Sequence, residues 1–175
     1  MFADRYIKNN IAYPPFIEKE PLVSVSMIVM IPCLNEPEII RTLESVWSCT
    51  PPKSDVEVIV AVNDSDTSSE TVREFNRKTF QELKHWKMHN DRPNLILQPI
   101  YAESVNAKHA GAGMARKIGM DEAIYRFGAI NKHDGVIISL DSDCLVSPNY
   151  LKRIEEYFGE NKSNFSATLN LRHRI

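Results

Sequence analysis

Two aspartates, Asp141 and Asp143, follow the mostly apolar residues 135–140 with a single serine between them. If the backbone stays extended, both side chains point to the same side, because side chains in a strand repeat every second residue. Two like charges on one side repel each other, and either water or a cation would reduce that repulsion. Mg²⁺ and Mn²⁺ prefer carboxylate oxygens and are usually held by one or two of them together with phosphates and water. The pattern therefore favours a divalent-cation site, with a solvated strand end as the alternative.

Polar side chains directly follow three of the predicted strands. They are Asn35 and Glu36 after the first strand, Asn63 and Asp64 after the second, and Asp141 and Asp143 after the fourth. Ligands of parallel α/β sheets bind beyond the carboxyl ends of the strands, so we expect these side chains to share one edge of the sheet. Simpler interpretations remain open, since Asn35 could cap a helix with Pro37 in its first turn, and Asp64 or Asp66 could cap the next helix.

Alternating apolar segments predict the elements that position these residues. Strands are predicted at residues 23–31, 56–62, 94–100, 136–140 and 165–171, where β-branched or apolar residues lie between turn signals. Apolar residues at helical spacing between these segments predict four helices, the first capped by Asn35 and the last by Ser147. No hairpin signal joins the strands. The order therefore predicts an α/β fold, a mostly parallel sheet with helices on both faces that is Rossmann-like.

Length and composition limit the classes that need to be considered. The 175 residues suit one domain, which we predict at residues 23–175 after an N-terminal arm at residues 1–22. A formal net charge of −2 gives no reason to expect a nucleic-acid partner. The three cysteines are scattered, which suits a reducing compartment. The longest apolar block is strand-sized and no membrane segment is predicted, so the expected location is the cytoplasm.

Four segments resemble motifs of family 2 glycosyltransferases and occur in the same order. They are residues 25–36, which end like that family's opening strand in Pro-x-x-Asn-Glu; residues 62–68, similar to its Asp-Asp second-strand motif; residues 113–119, similar to its Ala-Arg-Asn-x-Gly helix; and residues 140–143, which match its Asp-x-Asp. Asn63 stands where the family has the first of two aspartates, and Lys117 stands in place of the asparagine. The resemblance implies the GT-A fold of that family, here its nucleotide-binding half.

The resemblance also implies how a donor would bind. The donor would be a nucleotide-diphosphate sugar, and a UDP-sugar is implied. Pro32, Asn35 and Glu36 would line the uridine pocket. Asp64, together with Asn63, would contact the uracil edge.

The remaining motif residues would lie near the diphosphate and the sugar. By the same resemblance, Arg116 would meet the base or the diphosphate, and Asp141 would approach the ribose or the sugar. Asp143, with Asp141 beside it, would bind Mg²⁺ or Mn²⁺. The implied reaction is an inverting transfer, in which an acceptor hydroxyl attacks the anomeric carbon while the cation holds the departing diphosphate.

No catalytic base is identified. An inverting transferase needs a general base for the acceptor hydroxyl, and in the family this carboxylate lies well downstream of Asp-x-Asp. Only 32 residues follow Asp143, and we interpret Glu155, Glu156 and Glu160 as a solvated helix face. We therefore expect the acceptor-binding part to lie outside this chain. The acceptor, whether glycan, lipid or small molecule, is not specified, and a non-catalytic module that binds nucleotide or a protein partner is the alternative.

Three further patterns have simpler explanations. A dinucleotide-binding glycine loop should follow the first strand, whereas Gly111-Ala-Gly113 lies in the third unit. His85 and His89 have the spacing of two zinc ligands on a helix, but no third ligand accompanies them and a solvated face is the better interpretation. Lys108 and His109 either contact phosphate or belong to a surface loop.

Overall fold

The structure, a computed structural model, describes residues 3–11, 13–163 and 166–168. Its strands are β1 (Val25–Cys33), β2 (Asp55–Ser65), β3 (Leu95–Val105) and β4 (Val136–Ser139). Its helices are α1 (Asp4–Asn10), α2 (Ile39–Trp47), α3 (Glu70–Asn90), α4 (Ala112–Ala129) and α5 (Tyr150–Glu160). No helix in these ranges is both long and apolar enough to cross a membrane.

The four strands form one parallel sheet in the order β3-β2-β1-β4. The two central strands, β1 and β2, are buried along almost their whole length, whereas β4 at the edge is mostly half-buried. Continuous apolar runs such as residues 27–31 suit this position, because both faces of a parallel sheet are covered. The predicted α/β fold is therefore confirmed.

Helices cover both faces of the sheet. On one face, α2, α3 and α5 pack against the odd-numbered residues of β1 through Leu43, Leu83 and Leu151. On the other face, α4 packs against Ile28 and Ile59 through Ile118 and Phe127. Gly119 allows this close approach, because a Cβ at that position would lie 2.3 Å from the Met30 side chain.

The N-terminal residues pack on the outer side of α4. Tyr13, Phe16 and Ile17 extend the apolar cluster beneath them, and the carboxylate of Glu122 accepts hydrogen bonds from the backbone of Phe16 (2.8 Å) and Ile17 (3.3 Å). Burial raises the pKa of Glu122, although these two hydrogen bonds oppose the rise. This stretch is therefore tied to the same helix that carries Arg116.

Two predicted helix caps are wrong. Asn35 does not cap α2: it adopts a left-handed conformation with φ 51°, and the helix begins four residues later, after Glu38. Ser147 does not cap α5, because the residue before that helix is Asn149 and Ser147 instead accepts a bond from the Tyr150 backbone through its carbonyl (2.9 Å). In both places the polar residue lies in a turn that also has a long-range contact, from the Asn35 backbone to Asn76 (3.0 Å) and from the Cys49 thiol to the Ser147 carbonyl (3.5 Å).

The predicted strand at residues 165–171 lies mostly outside the described residues. Only residues 166–168 of it are described, and they are not in a strand. The second and third strands are longer than predicted. In particular, Asn63 and Asp64, expected beyond the end of the second strand, belong to β2.

Candidate functional site

The carboxyl end of β1 leaves the sheet through a sharp turn. Pro32 is buried within the strand, Asn35 is exposed, and Glu36 is partly buried. Asparagine tolerates the left-handed backbone better than most residues, which explains how Asn35 can make this turn without glycine. The carboxylate of Glu36 accepts a bond from the Glu38 backbone (3.0 Å), which fixes the chain before α2.

The carboxyl end of β2 is buried, and its aspartate is held by the neighbouring strand. Asp64 is 2% exposed, and one of its carboxylate oxygens accepts a hydrogen bond from the Ser104 backbone at 2.7 Å. The other accepts a bond from the Tyr101 hydroxyl. Burial, and then this bond to Asp64, raise the pKa of the Tyr101 hydroxyl, so it stays a hydrogen-bond donor at neutral pH. Asp64 is therefore a fixed carboxylate with acceptor capacity left, since a carboxylate offers about four lone-pair sites.

Asn63 connects β2 to the start of α4. Its side-chain nitrogen donates to the carbonyl of Gly111 at 3.3 Å, and Gly111, with φ 126°, directly precedes that helix. Its side-chain oxygen is buried and has no hydrogen-bond partner among the described residues. Such an unpaired acceptor is costly, so a bound water molecule or a local rearrangement that admits a donor would be stabilising.

Arg116, in the second turn of α4, reaches across to the end of β4. Its Nε donates to the Ser139 hydroxyl at 3.1 Å, and its Nη2 lies 2.6 Å from the carboxylate of Asp141. The two charged side chains remain 37% and 54% exposed. The structure therefore brings together two residues that belong to separate motifs of the sequence.

The Asp-x-Asp segment turns away from the sheet instead of staying extended. β4 ends at Ser139, the Cys144 backbone bonds back to the Asp141 carbonyl at 3.2 Å, and Thr42 of α2 donates to the Ser142 carbonyl at 2.6 Å. The extended geometry considered for the two aspartates is therefore wrong. Asp141 and Asp143 are both exposed, and they sit in a short turn that α2 anchors.

Cys144 beside this turn is not an activated thiol. Partial burial, and then the negative charges of Asp143 and Asp141, raise its pKa. Its sulfur lies 3.7 Å from the Asp143 carboxylate. A raised pKa keeps the thiol protonated and weakly nucleophilic, in line with a packing role.

The carboxylates of Asp141 and Asp143 suit a hard cation that takes few of its ligands from the protein. Among residues 3–11, 13–163 and 166–168, no group of three or more His, Cys, Asp or Glu side chains could enclose a metal ion. The exposed carboxylate of Asp143 and the Asp141 oxygen that Arg116 does not contact are the type of ligand that Mg²⁺ and Mn²⁺ prefer, and these ions keep waters and phosphate oxygens in their coordination shell. Such an ion would complete its coordination with oxygens of a phosphorylated ligand.

Four of the predicted site residues are joined in two pairs, whereas Pro32, Glu36, Asp64 and Asp143 take part in neither pair. Asn35 and Asn63 meet through Asn76 of α3, while Arg116 meets Asp141. Other polar candidates lie apart from these contacts. Lys108 and His109 are exposed in the loop before α4, and His85 and His89 are exposed on α3.

Three contributing residues were not identified from the sequence, namely Asn76, Tyr101 and Ser139. Asn76 carried a usable signal, because it lies four residues after Val72 and seven before Leu83, on the apolar face of α3. A polar residue in such a stripe is buried and needs partners. Tyr101 and Ser139 carried no comparable signal.

No protein-family model and no curated protein matches the sequence. The fold does resemble solved structures of TarS from S. aureus. TarS 1–349 in complex with UDP has a TM-score of 0.53 at 21% identity over 79% of this chain, and a second structure of the same fragment has a TM-score of 0.51 at the same identity and coverage. The chain spans 33% of those chains. At this identity, the comparison shows a likeness of fold alone.

Proposed function

We propose that this chain is the nucleotide-sugar-binding part of a glycosyltransferase of the family 2 type. The donor is a UDP-sugar, the reaction is metal-dependent and inverting, and the sugar passes to an acceptor hydroxyl. TarS, itself a glycosyltransferase whose crystal structure holds UDP, supports this proposal through its fold. The four motifs of the sequence support it independently.

The observation that carries the proposal is the contact between Arg116 and Asp141. The two residues belong to separate motifs, 25 positions apart, and meet beyond the carboxyl end of the sheet. Ligands of parallel α/β sheets bind at this edge. A guanidinium here is suited to a diphosphate, because its planar fork matches phosphate oxygens.

In this proposal the nucleoside lies against the ends of β1 and β2. Pro32, Asn35 and Glu36 form one wall, and Asn63 and Asp64 form the floor. The buried, unpaired side-chain oxygen of Asn63 supports a role in binding a hydrogen-bond donor, such as the imide of uracil. Asp64 is already held at both oxygens and needs little reorganisation to accept a further bond.

Asp143, with Asp141 beside it, holds Mg²⁺ or Mn²⁺ in this proposal. When bound, the cation supplies Lewis-acid stabilisation of the departing diphosphate. Arg116 both orients Asp141 and adds positive charge where negative charge develops.

A binding module that does no chemistry is the second candidate, and Glu155 favours it. The carboxylate of this residue accepts bonds from the Lys53 backbone (2.8 Å), the Ser54 backbone (2.8 Å) and the Ser54 hydroxyl (2.6 Å). Glu155 is therefore a half-buried structural group and not part of the solvated helix face expected from the sequence, which removes it as a candidate general base.

Calorimetric titration with UDP, with CDP as the matched control, tests the nucleotide site. We expect UDP to bind, and to bind more tightly with Mn²⁺ present. If UDP binds neither with Mn²⁺ nor without it, the proposal is contradicted. Release of UDP from a UDP-sugar when an acceptor is added separates the enzyme from the binding module.

A further inference from the structure

The side chain of Asn76 lies between the ends of the two central strands. Asn76 is on α3 and is 0% exposed. Its side-chain oxygen accepts a hydrogen bond from the Asn35 backbone at 3.0 Å, and its side-chain nitrogen donates to the Asn63 carbonyl at 3.0 Å. One buried amide thus contacts the backbone of both segments proposed to hold the nucleoside.

These contacts take the place of sheet hydrogen bonds. The pairing of β1 with β2 ends at Cys33 and Val62, beyond which β1 turns away through Asn35. The next carbonyl of β2, that of Asn63, and the amide of Asn35 would lose partners where the strands part. The side chain of asparagine carries the same donor and acceptor as a peptide group, so it can satisfy both.

The two hydrogen bonds of Asn76, here called the Asn76 bridge, also fix the distance between the Asn35 turn and the end of β2. The side chain of Asn35 is exposed, and the bond that fixes the following residues, from the Glu38 backbone to Glu36, is local to the turn. The backbone of Asn63, by contrast, is embedded in the sheet beside β3. Asn76 therefore ties together the Asn35 turn and the end of β2, the two sides of the cleft proposed for the nucleoside.

We infer that Asn76 is a positioning residue that sets the spacing between the Asn35 turn and the end of β2, and so preorganises the cleft for the nucleoside. The inference rests on the proposed function for its ligand. Asn76 acts on the backbone of the two segments and does not itself touch the nucleotide. Its loss weakens binding by freeing the turn, because a site that must be ordered on binding has lower affinity.

The variant Asn76→Leu removes both hydrogen bonds with the same number of side-chain heavy atoms, although leucine is the larger residue. Asn76→Asp keeps the acceptor and replaces the donor with a second carboxylate oxygen. Thr79→Val is the matched control, because Thr79 is a buried polar residue one turn further along α3. Hydrogen exchange monitored by NMR reports on the bridge without any ligand. We expect the Asn35 amide to exchange at least tenfold faster in Asn76→Leu, while amides in the centre of β1 and β2 stay protected.

Calorimetry with UDP then measures the consequence for the cleft. We expect the Kd for UDP to rise about tenfold in both Asn76 variants, equivalent to about 1.4 kcal/mol, and to stay within twofold of wild type in Thr79→Val. If Asn76→Leu is too unstable to study, Asn76→Asp alone decides the binding result. Unchanged affinity in the Asn76 variants overturns the inference.

The two readouts separate this inference from the proposed function. If the wild-type protein does not bind UDP, the proposed function fails, and the exchange experiment still decides whether Asn76 holds the turn. Continued protection of the Asn35 amide in Asn76→Leu overturns the inference whatever the ligand is.

Discussion

The guanidinium of Arg116 lies 2.6 Å from the carboxylate of Asp141, so that α4 and the segment after β4 meet beyond the edge of the sheet. Both side chains are substantially exposed, and exposed ion pairs usually contribute less than about 1 kcal/mol to folding. A pair that contributes little to stability can be altered without unfolding the protein. Its effect on a ligand can therefore be measured separately.

Replacing Arg116 should weaken nucleotide binding while leaving the fold intact. We expect Arg116→Ala to raise the Kd for UDP by about 10- to 100-fold, in the range of one charge-assisted hydrogen bond. Arg116→Lys should recover only part of this loss, because an ammonium cannot contact Ser139 and Asp141 in the same way. Calorimetry measures the affinity, and Arg153→Ala, an exposed arginine on α5, is the control. Equal losses in the Arg116→Ala and Arg153→Ala variants would argue for a general charge effect.

The buried pair between Glu57 and Arg126 should behave differently from an exposed one. Both side chains are at most 3% exposed, and Arg126 also donates to the Lys19 carbonyl at 2.9 Å. We expect Arg126→Met alone to cost about 3–5 kcal/mol, because it leaves a buried carboxylate without its partner. The double variant Glu57→Leu/Arg126→Met should be more stable than Arg126→Met, since no unpaired charge remains. Urea unfolding measures the free energies, and a double variant less stable than Arg126→Met would contradict this account.

Glu155 should make folding sensitive to acid. Burial raises the pKa of this carboxyl, but the hydrogen bonds from Ser54 and Lys53 outweigh that effect. The pKa of Glu155 in the folded protein therefore lies below its ordinary value of 4.5. A lowered folded-state pKa means that the stabilisation is present above about pH 4.5 and is lost as the pH falls through the folded-state value. Glu155→Gln should cost about 1–2 kcal/mol at pH 7 and should flatten the loss of stability below pH 4.5.

Glu156→Gln is the control for this prediction. Glu156 is exposed and lies 3.8 Å from Lys152, so its replacement should change the free energy of unfolding by less than about 0.5 kcal/mol. Thermal unfolding of both variants between pH 3 and pH 7 makes the comparison. A steeper acid response in Glu155→Gln than in the wild-type protein would show that the sign of the pKa shift is wrong.

The strands and helices were predictable because their apolar residues repeat with regular spacing. The residues at which strands and helices begin and end were less predictable. Residues 63–65 are polar and suggested a loop, yet pairing with β3 carries β2 through to Ser65. Asn35 suggested a cap, yet it lies in a left-handed turn and its backbone donates to Asn76, 41 residues away. Contacts of such long range leave no periodic pattern in the sequence.

Long-range contacts also limit what the sequence predicts about the candidate site. The motif residues indicated which side chains to examine, and the assignment of each to the nucleotide or the cation stays a prediction. Lys117, which departs from the family pattern, has a clear structural role. It donates to the Asn10 carbonyl at 2.8 Å and pairs with Asp121, so it fastens the N-terminal residues to α4. The sequence alone could not reveal this role, because the partner lies 107 residues away.

The most direct test of the account is the effect of Asp143 on the metal dependence of nucleotide binding. The Kd for UDP is measured by calorimetry with Mn²⁺ and with EDTA, for the wild-type protein, Asp143→Asn and the remote control Glu156→Gln. We predict that Mn²⁺ tightens binding about tenfold or more in the wild-type protein and in Glu156→Gln, and has no effect in Asp143→Asn, because the variant lacks a carboxylate that holds the ion. Equal Mn²⁺ enhancement in the wild-type protein and Asp143→Asn, or no enhancement in any of them, would contradict the proposal of a metal-assisted nucleotide-sugar site.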